Sequence, residues 1–228
     1  MARAVGGAYG NFKGRLGQVS ARIINGKTIL YSRPVSFKEN TKQSHLDAKK
    51  KFAVASAFAS NVIKLPVLYN IWKLNKEPGS SEFNTVFKFN FDLSSVEGPT
   101  LQNIITPGGF DSPVISAAVT PEKLIVTLSA LNNFIIASKA EENLSVNALV
   151  GLTNPLSEND PSFVIIPAAK ELIEFNFGEV CNLEIKLNVE EAYQVEHYSR
   201  KIIYLSVATK SAYNEIVRYS KSHSLISV

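Results

Sequence analysis

Apolar and polar positions alternate with a period of two over two runs near the start of the chain. Val19, Ala21 and Ile23 alternate with Ser20, Arg22 and Ile24; Ile29, Tyr31 and Arg33 alternate with Leu30 and Ser32. A period of two places successive side chains on opposite faces of a strand. Asn25-Gly26 separates the runs, and a type I′ turn needs φ > 0 at both central positions, which Asn and Gly tolerate. The pattern predicts a β-hairpin. Upstream, Gly6, Gly7, Gly10, Gly14 and Gly17 are interleaved with Tyr9, Phe12, Lys13 and Arg15. Glycine at that density opposes a helix, and order there requires another surface to lie against.

The period changes over residues 44–64, "SHLDAKKKFAVASAFASNVIK". Phe52, Ala55, Ala59 and Val62 recur at helical spacing, and Ser44 with Asp47 resembles a capping box. Pro66 breaks this helix, "VLYNIWKLNK" continues as a second short one, and "EPGSSE" (77–82) marks a boundary. Beyond it the pattern is strand-like. "FNTVFKFNF" sets Phe83, Phe87, Phe89 and Phe91 against Asn84, Lys88 and Asn90. "KLIVTLS", "NLSVNALVG", "SFVIIP", "LIEFNF", "CNLEIKLNV" and "KIIYLSVAT" follow. Seven or more short strands between Pro, Gly, Asn and Asp turns predict an antiparallel sandwich. The polar stretch "NPLSENDPS" (154–162) is a candidate divide between two lobes.

Composition narrows the classes. Hydrophobic residues make up 45% and charged residues 19% of the 228, a globular balance. No run approaches the roughly 20 apolar residues of a membrane-spanning helix, and the first residues lack the apolar core of a secretory signal. A cytoplasmic or virion-associated protein, without membrane insertion, is expected. Cys181 is the single cysteine, which excludes an internal disulfide framework and a cysteine-rich metal cage.

Candidate chemistry is thin. Ala21 and Gly26-Lys27-Thr28 fit a relaxed phosphate-loop pattern, but "TILYSRP" after Lys27 reads as a strand, and a phosphate loop needs a helix there. His45, His197 and His223 are scattered. Cys181 alternates with Leu183, Ile185 and Leu187 as a buried structural thiol would, and Glu141-Glu142 and Glu190-Glu191 read as solvated strand ends. No catalytic residue, cofactor site or metal site is expected, and the protein reads as a non-enzyme.

Charge is the strongest remaining signal. Residues 1–51 hold eleven Lys or Arg against Glu39 and Asp47, or +9; the rest carries thirteen basic and eighteen acidic residues, or −5. Lys and Arg among glycines and aromatics can pair with acidic protein surface, or track phosphates and stack on bases. Arg3, Lys13, Arg15, Arg22, Lys27, Arg33, Lys49, Lys50 and Lys51 are the candidate contacts. The expected partner is another copy or other protein subunits, with nucleic acid as the alternative.

"GNFKGRLGQV" (10–19), "YSRP" (31–34) and "QSHLDAKKKFAVASAF" (43–58) resemble, in that order, the start of a family of uncharacterised proteins abundant in Bacteroidota. That family opens with a basic head of the form G-x-F-x-G-K-x-G-x-V; Arg15 here takes the usual Lys place. The resemblance covers about the first 75 residues and implies an immunoglobulin-like β-rich remainder, with no activity to carry over. The expected protein is mainly β: a Gly-rich hairpin arm (1–43), a helical neck (44–76) and an antiparallel immunoglobulin-like β-sandwich region (83–228) of one or two lobes. Its expected role is a structural subunit of a homo-oligomeric, filamentous or phage-like assembly; the alternative is a nucleic-acid-binding protein.

Overall fold

A computed structural model describes residues 3–5, 11–24, 26–32, 36, 41–133 and 140–227, and the chain divides into two units, residues 1–43 and 44–228. Strand accounts for 40% and helix for 27%, so the protein is mainly β, and its sheets are antiparallel.

The first unit is a four-stranded sheet in the order β1 (Arg3–Val5), β2 (Asn11–Leu16), β3 (Val19–Ile24) and β4 (Lys27–Ser32). The hairpin expected from the sequence is β3–β4, with Ile24 opposite Lys27 and Gly26 at φ 75°. Asn25 lies outside the described residues. β1 and β2 were not legible as strands, because β1 is only three residues long and Gly14 interrupts the alternation of β2. Gly17, at φ 59°, carries the turn from β2 to β3.

The second unit begins with three helices. α1 (Gln43–Lys64) and α2 (Pro66–Asn75) meet at a 106° bend, where Pro66 cannot supply an amide to continue the first helix. α1 buries Val54, Ala55, Phe58, Ala59 and Val62, whereas Phe52, expected on the buried face, is 56% exposed. α3 (Glu82–Phe91) corrects the strand expected from "FNTVFKFNF". Phe83, Phe87 and Phe91 stand four apart, a helical stripe that alternation had masked, and the Ser81 hydroxyl caps the helix by accepting from the Asn84 amide at 3.2 Å. The β-rich part therefore starts at residue 114, not 83.

From there the strands are β5 (Val114–Val119), β6 (Lys123–Leu128), β7 (Asn143–Pro155), β8 (Phe163–Leu172), β9 (Cys181–Lys186), β10 (Tyr198–Lys210), β11 (Ile216–Tyr219) and β12 (His223–Ser227). α4 (Val189–His197) enters between β9 and β10. One sheet runs β11-β10-β7-β8, with β12 also on β10; the other runs β5-β6-β9. Residues 154–162 do not divide lobes: they connect β7 to β8, which pair from Thr153–Phe163 to Leu144–Leu172. "LIEFNF" is not a strand either. β8 ends at Leu172, and Glu174 sits at φ 52° in an irregular return.

The larger sheet is covered on both sides. Val146, Val150, Ile203, Leu205 and Val207 pack with Leu124, Val126, Leu128 and Leu183 of the smaller sheet. On the opposite face, Leu149, Ile202, Tyr204 and Ala208 pack with Phe58, Leu68, Ile71, Trp72 and Val86 of the helices. Three layers result, and β7 and β10 are the strands buried between the outer two.

The far edge of β10 is shared by β11 and β12, and serine hydroxyls bridge the break between them. Ser220 Oγ accepts from the Val207 amide at 3.0 Å; Ser222 Oγ accepts from the Ile105 and Thr106 amides at 2.7 and 2.8 Å. Phe110 donates its amide to Tyr219 O and accepts from Lys221, at 3.1 and 2.8 Å. Gly109, at φ 119°, permits this approach, since a Cβ there would collide with the Tyr219 carbonyl. Gly108 next to it has open space. Gly109→Ala should therefore lower unfolding stability by about 2 kcal/mol or more, and Gly108→Ala by well under half of that, measured by denaturant unfolding.

Candidate functional site

Register partners in an antiparallel pair share a face, and neighbours along a strand alternate. In the first unit, Arg15, Ser20 and Tyr31 form one cross-strand row, Arg22 and Ile29 the next, and Ile24 and Lys27 the last. Arg15, Arg22 and Lys27, all exposed, therefore lie on one face of the sheet. The Arg22 guanidinium is 5.7 Å from the Tyr31 ring centroid, and Arg15 Nε donates to Gly17 O at 3.2 Å. Exposed Ile24, Ile29 and Tyr31 complete a surface that is at once cationic and apolar. Among the described residues of β3 and β4 the opposite face carries Val19, Ala21, Ile23, Thr28, Leu30 and Ser32, none of them charged. Arg3 stands opposite Lys13 in the β1–β2 pair, beyond Gly14, where φ is 118°. Arg33 lies outside the described residues.

The lysines of α1 differ among themselves. Lys49 and Lys50 are exposed. Lys51 is half-buried, pairs with Asp92 at 3.5 Å and lies 5.0 Å from the Phe91 ring centroid, so it serves the join of α1 to the end of α3. Beside it, a cavity of about 330 Å³ is lined by His45, Ala48, Lys49, Phe52 and Phe91. Phe52 reaches over to Phe87 at 4.9 Å between ring centroids.

Two expectations about acids need correction. Glu190 and Glu191 are in the first turn of α4 rather than at a strand end, and Glu191 forms a capping box with Asn188. Glu141 is not solvated: its side chain is fully buried and pairs with Arg218 at 3.4 Å. His197 closes α4, its Nδ1 2.7 Å from Tyr193 O and its ring stacked on Tyr193. The sequence around each looked polar without indicating which neighbour would cover it.

α4 and the β7–β8 connection sit together, since Leu156 donates its amide to His197 O and Tyr198 Oη donates to Pro161 O, both at 2.8 Å. Residues 154–162 and 187–197 contain Glu158, Asp160, Glu190, Glu191 and Glu196 and neither Lys nor Arg. Their concentration at one end of the second unit was invisible in sequence, because residues 163–186 separate the two segments.

Gly26-Lys27-Thr28 forms a turn into a strand, and no helix follows to present amides to a phosphate. Among the described residues no group of three His, Cys, Asp or Glu is placed to hold a metal ion. No single described helix is long and apolar enough to cross a membrane. Comparison with known protein families, with curated proteins and with solved structures returns no match.

Cys181 opposes Leu128 in the register and packs at the margin of the core, half-buried rather than buried, and burial raises its thiol pKa. A raised pKa leaves less thiolate at neutral pH, and thiolate is the reactive form. Alkylation of Cys181 at pH 7.5 should be several-fold slower in the native protein than in urea-unfolded chain; equal rates would contradict this placement.

Proposed function

We propose that this protein is a non-enzymatic subunit of a larger homo-oligomeric, filamentous or phage-like assembly, and that its basic N-terminal region docks onto a neighbouring subunit. One observation carries this reading. The sheet of residues 1–43 exposes apolar side chains on both faces: Ile24, Ile29 and Tyr31 on one, Val19, Ile23 and Leu30 on the other. A single sheet becomes stable by packing a face against another layer. Its charge supports a protein partner. The first unit has eight Lys or Arg against Glu39 alone, or +7, and the second has sixteen basic and nineteen acidic residues, or −3. Copies of the chain thus supply both signs.

The family resemblance of residues 10–58 belongs to the same proposal, as does an immunoglobulin-like identity for residues 114–227. In chain order β5, β6 and β9 take the A, B and E places, while β7, β8, β10 and the β11/β12 edge take C, C′, F and G. A departure is that Cys181 has no second cysteine for the inter-sheet disulfide of antibody domains. A cytoplasmic or virion-borne assembly accords with this reading.

The alternative is nucleic-acid binding, favoured by the shared face of Arg15, Arg22, Lys27 and Tyr31, which sets cations beside a ring on which a base can stack. The two readings separate by light scattering and electron microscopy of the purified protein, with and without nuclease. Assembly predicts nuclease-resistant particles from the full chain and a folded monomer after removal of residues 1–43. A monodisperse full-length monomer at high concentration would falsify it. Nucleic-acid binding predicts affinity that falls steeply with salt, the log–log slope dropping by about one for each phosphate-contacting cation removed.

A further inference from the structure

We infer that the cationic face of the N-terminal sheet docks onto the acidic end of the second unit of another copy, the end built from α4 and the β7–β8 connection. This rests on the assembly reading above and names the acceptor that reading lacks. The docking face offers Arg15, Arg22 and Lys27 around exposed Ile24, Ile29 and Tyr31. The acceptor offers the same two ingredients with the sign reversed. Its two segments carry five carboxylates together with exposed apolar side chains, Leu156 at 69%, Val189 at 89% and Tyr193 at 55% exposure.

The charge distribution selects this end. The second unit carries −3 in total, and the five acids of residues 154–162 and 187–197 account for −5, so the remainder of the unit is +2. Elsewhere in the unit several acids are already paired with bases: Glu171 with Lys210, Glu141 with Arg218, Glu184 with Lys123 and Asp111 with Lys221. The aromatic surface of α1 and α3 is a poorer acceptor, because Lys49, Lys50, Lys51 and Lys88 border it, and of the acids beside it Asp92 and Glu77 already pair with Lys51 and Lys88. Lys186 and Arg200 flank the acidic end in sequence without entering either segment.

The contact is heterologous: the donor and acceptor surfaces of one copy differ, so each copy that accepts a sheet still has its own to donate. Three strands about 4.8 Å apart and six residues of about 3.3 Å rise give a face of about 14 by 20 Å. That is well below the ~800 Å² per partner of a standard interface. Each contact is therefore weak and concentration-dependent, with charge setting the encounter rate.

Charge reversal on each side tests the inference, with association followed by sedimentation velocity in low salt. One variant carries Arg15→Glu, Arg22→Glu and Lys27→Glu; the other carries Glu158→Lys, Glu190→Lys and Glu196→Lys, which spares the Glu191 cap. Each alone should associate at least about tenfold more weakly than the unmodified chain. Mixed together they should regain association, since the acidic sheet of one then matches the basic end of the other, and the unaltered basic sheet matches the unaltered acidic end. Recovery in the mixture also shows that both variants are folded. If the unmodified chain associates and the acidic-end variant associates equally well, or the mixture fails to recover, this acceptor is wrong while assembly stands. If the unmodified chain does not associate at all, the assembly reading itself fails.

Discussion

The pairing of β7 with β10 is the contact on which the second unit depends. Both strands are 13 residues long, and they run together from Tyr198–Pro155 to Lys210–Asn143. Their even and odd positions enter different cores, one shared with the smaller sheet and one with the helices. A one-residue slip would move Leu149 and Tyr204 from the helical layer to the other side and bring Val150 and Leu205 in their place. The register is thus fixed by two cores at once. Trp72, which donates its indole N–H to Ile105 O at 2.8 Å while fully buried, ties the helical layer into the loop that lies along the same sheet.

The first unit is built differently. Its described strands form one layer, and its cations follow the alternation of those strands. Cross-strand register, rather than proximity in sequence, brings Arg15, Arg22 and Lys27 onto one face. The same rule gathers Val19, Ala21, Ile23 and Leu30 on the other. Segregation of this kind makes a surface with direction: one side is matched by opposite charge, the other by apolar contact alone.

How much of this was legible in sequence varied with the distance over which each element is decided. The β3–β4 hairpin was readable because two alternating runs and Asn25-Gly26 specify it locally. The Pro66 bend was readable because proline's missing amide acts where it stands. "FNTVFKFNF" misled because Phe83, Phe87, Phe89 and Phe91 satisfy a period of two and, with one exception, a period of four. The exception, Phe89, is half exposed and meets Trp72 edge-on at 5.4 Å, a contact made by another helix. Phe52 misled for a similar reason: its partner is Phe87, 35 residues away. The alternation in "NLSVNALVG" was real, yet its polar side is also buried, because α1 to α3 cover a face that an isolated sandwich would leave wet. The basic candidates were readable by type, whereas their common face required a register, and the acidic end required two distant segments to meet.

Ser220 O and Ser222 Oγ link the 105–110 loop to a strand edge more than a hundred residues later in the chain. A ribosome makes the helices and β5 to β9 well before it makes this edge. Until residues 216–227 emerge, β10 has one open side, and the amides of Ile105, Thr106 and Phe110 lack the acceptors they use in the finished fold. Closure of the helical layer is thereby deferred until residues 216–227 have been made, and during that interval the nascent chain presents an unfinished sheet edge.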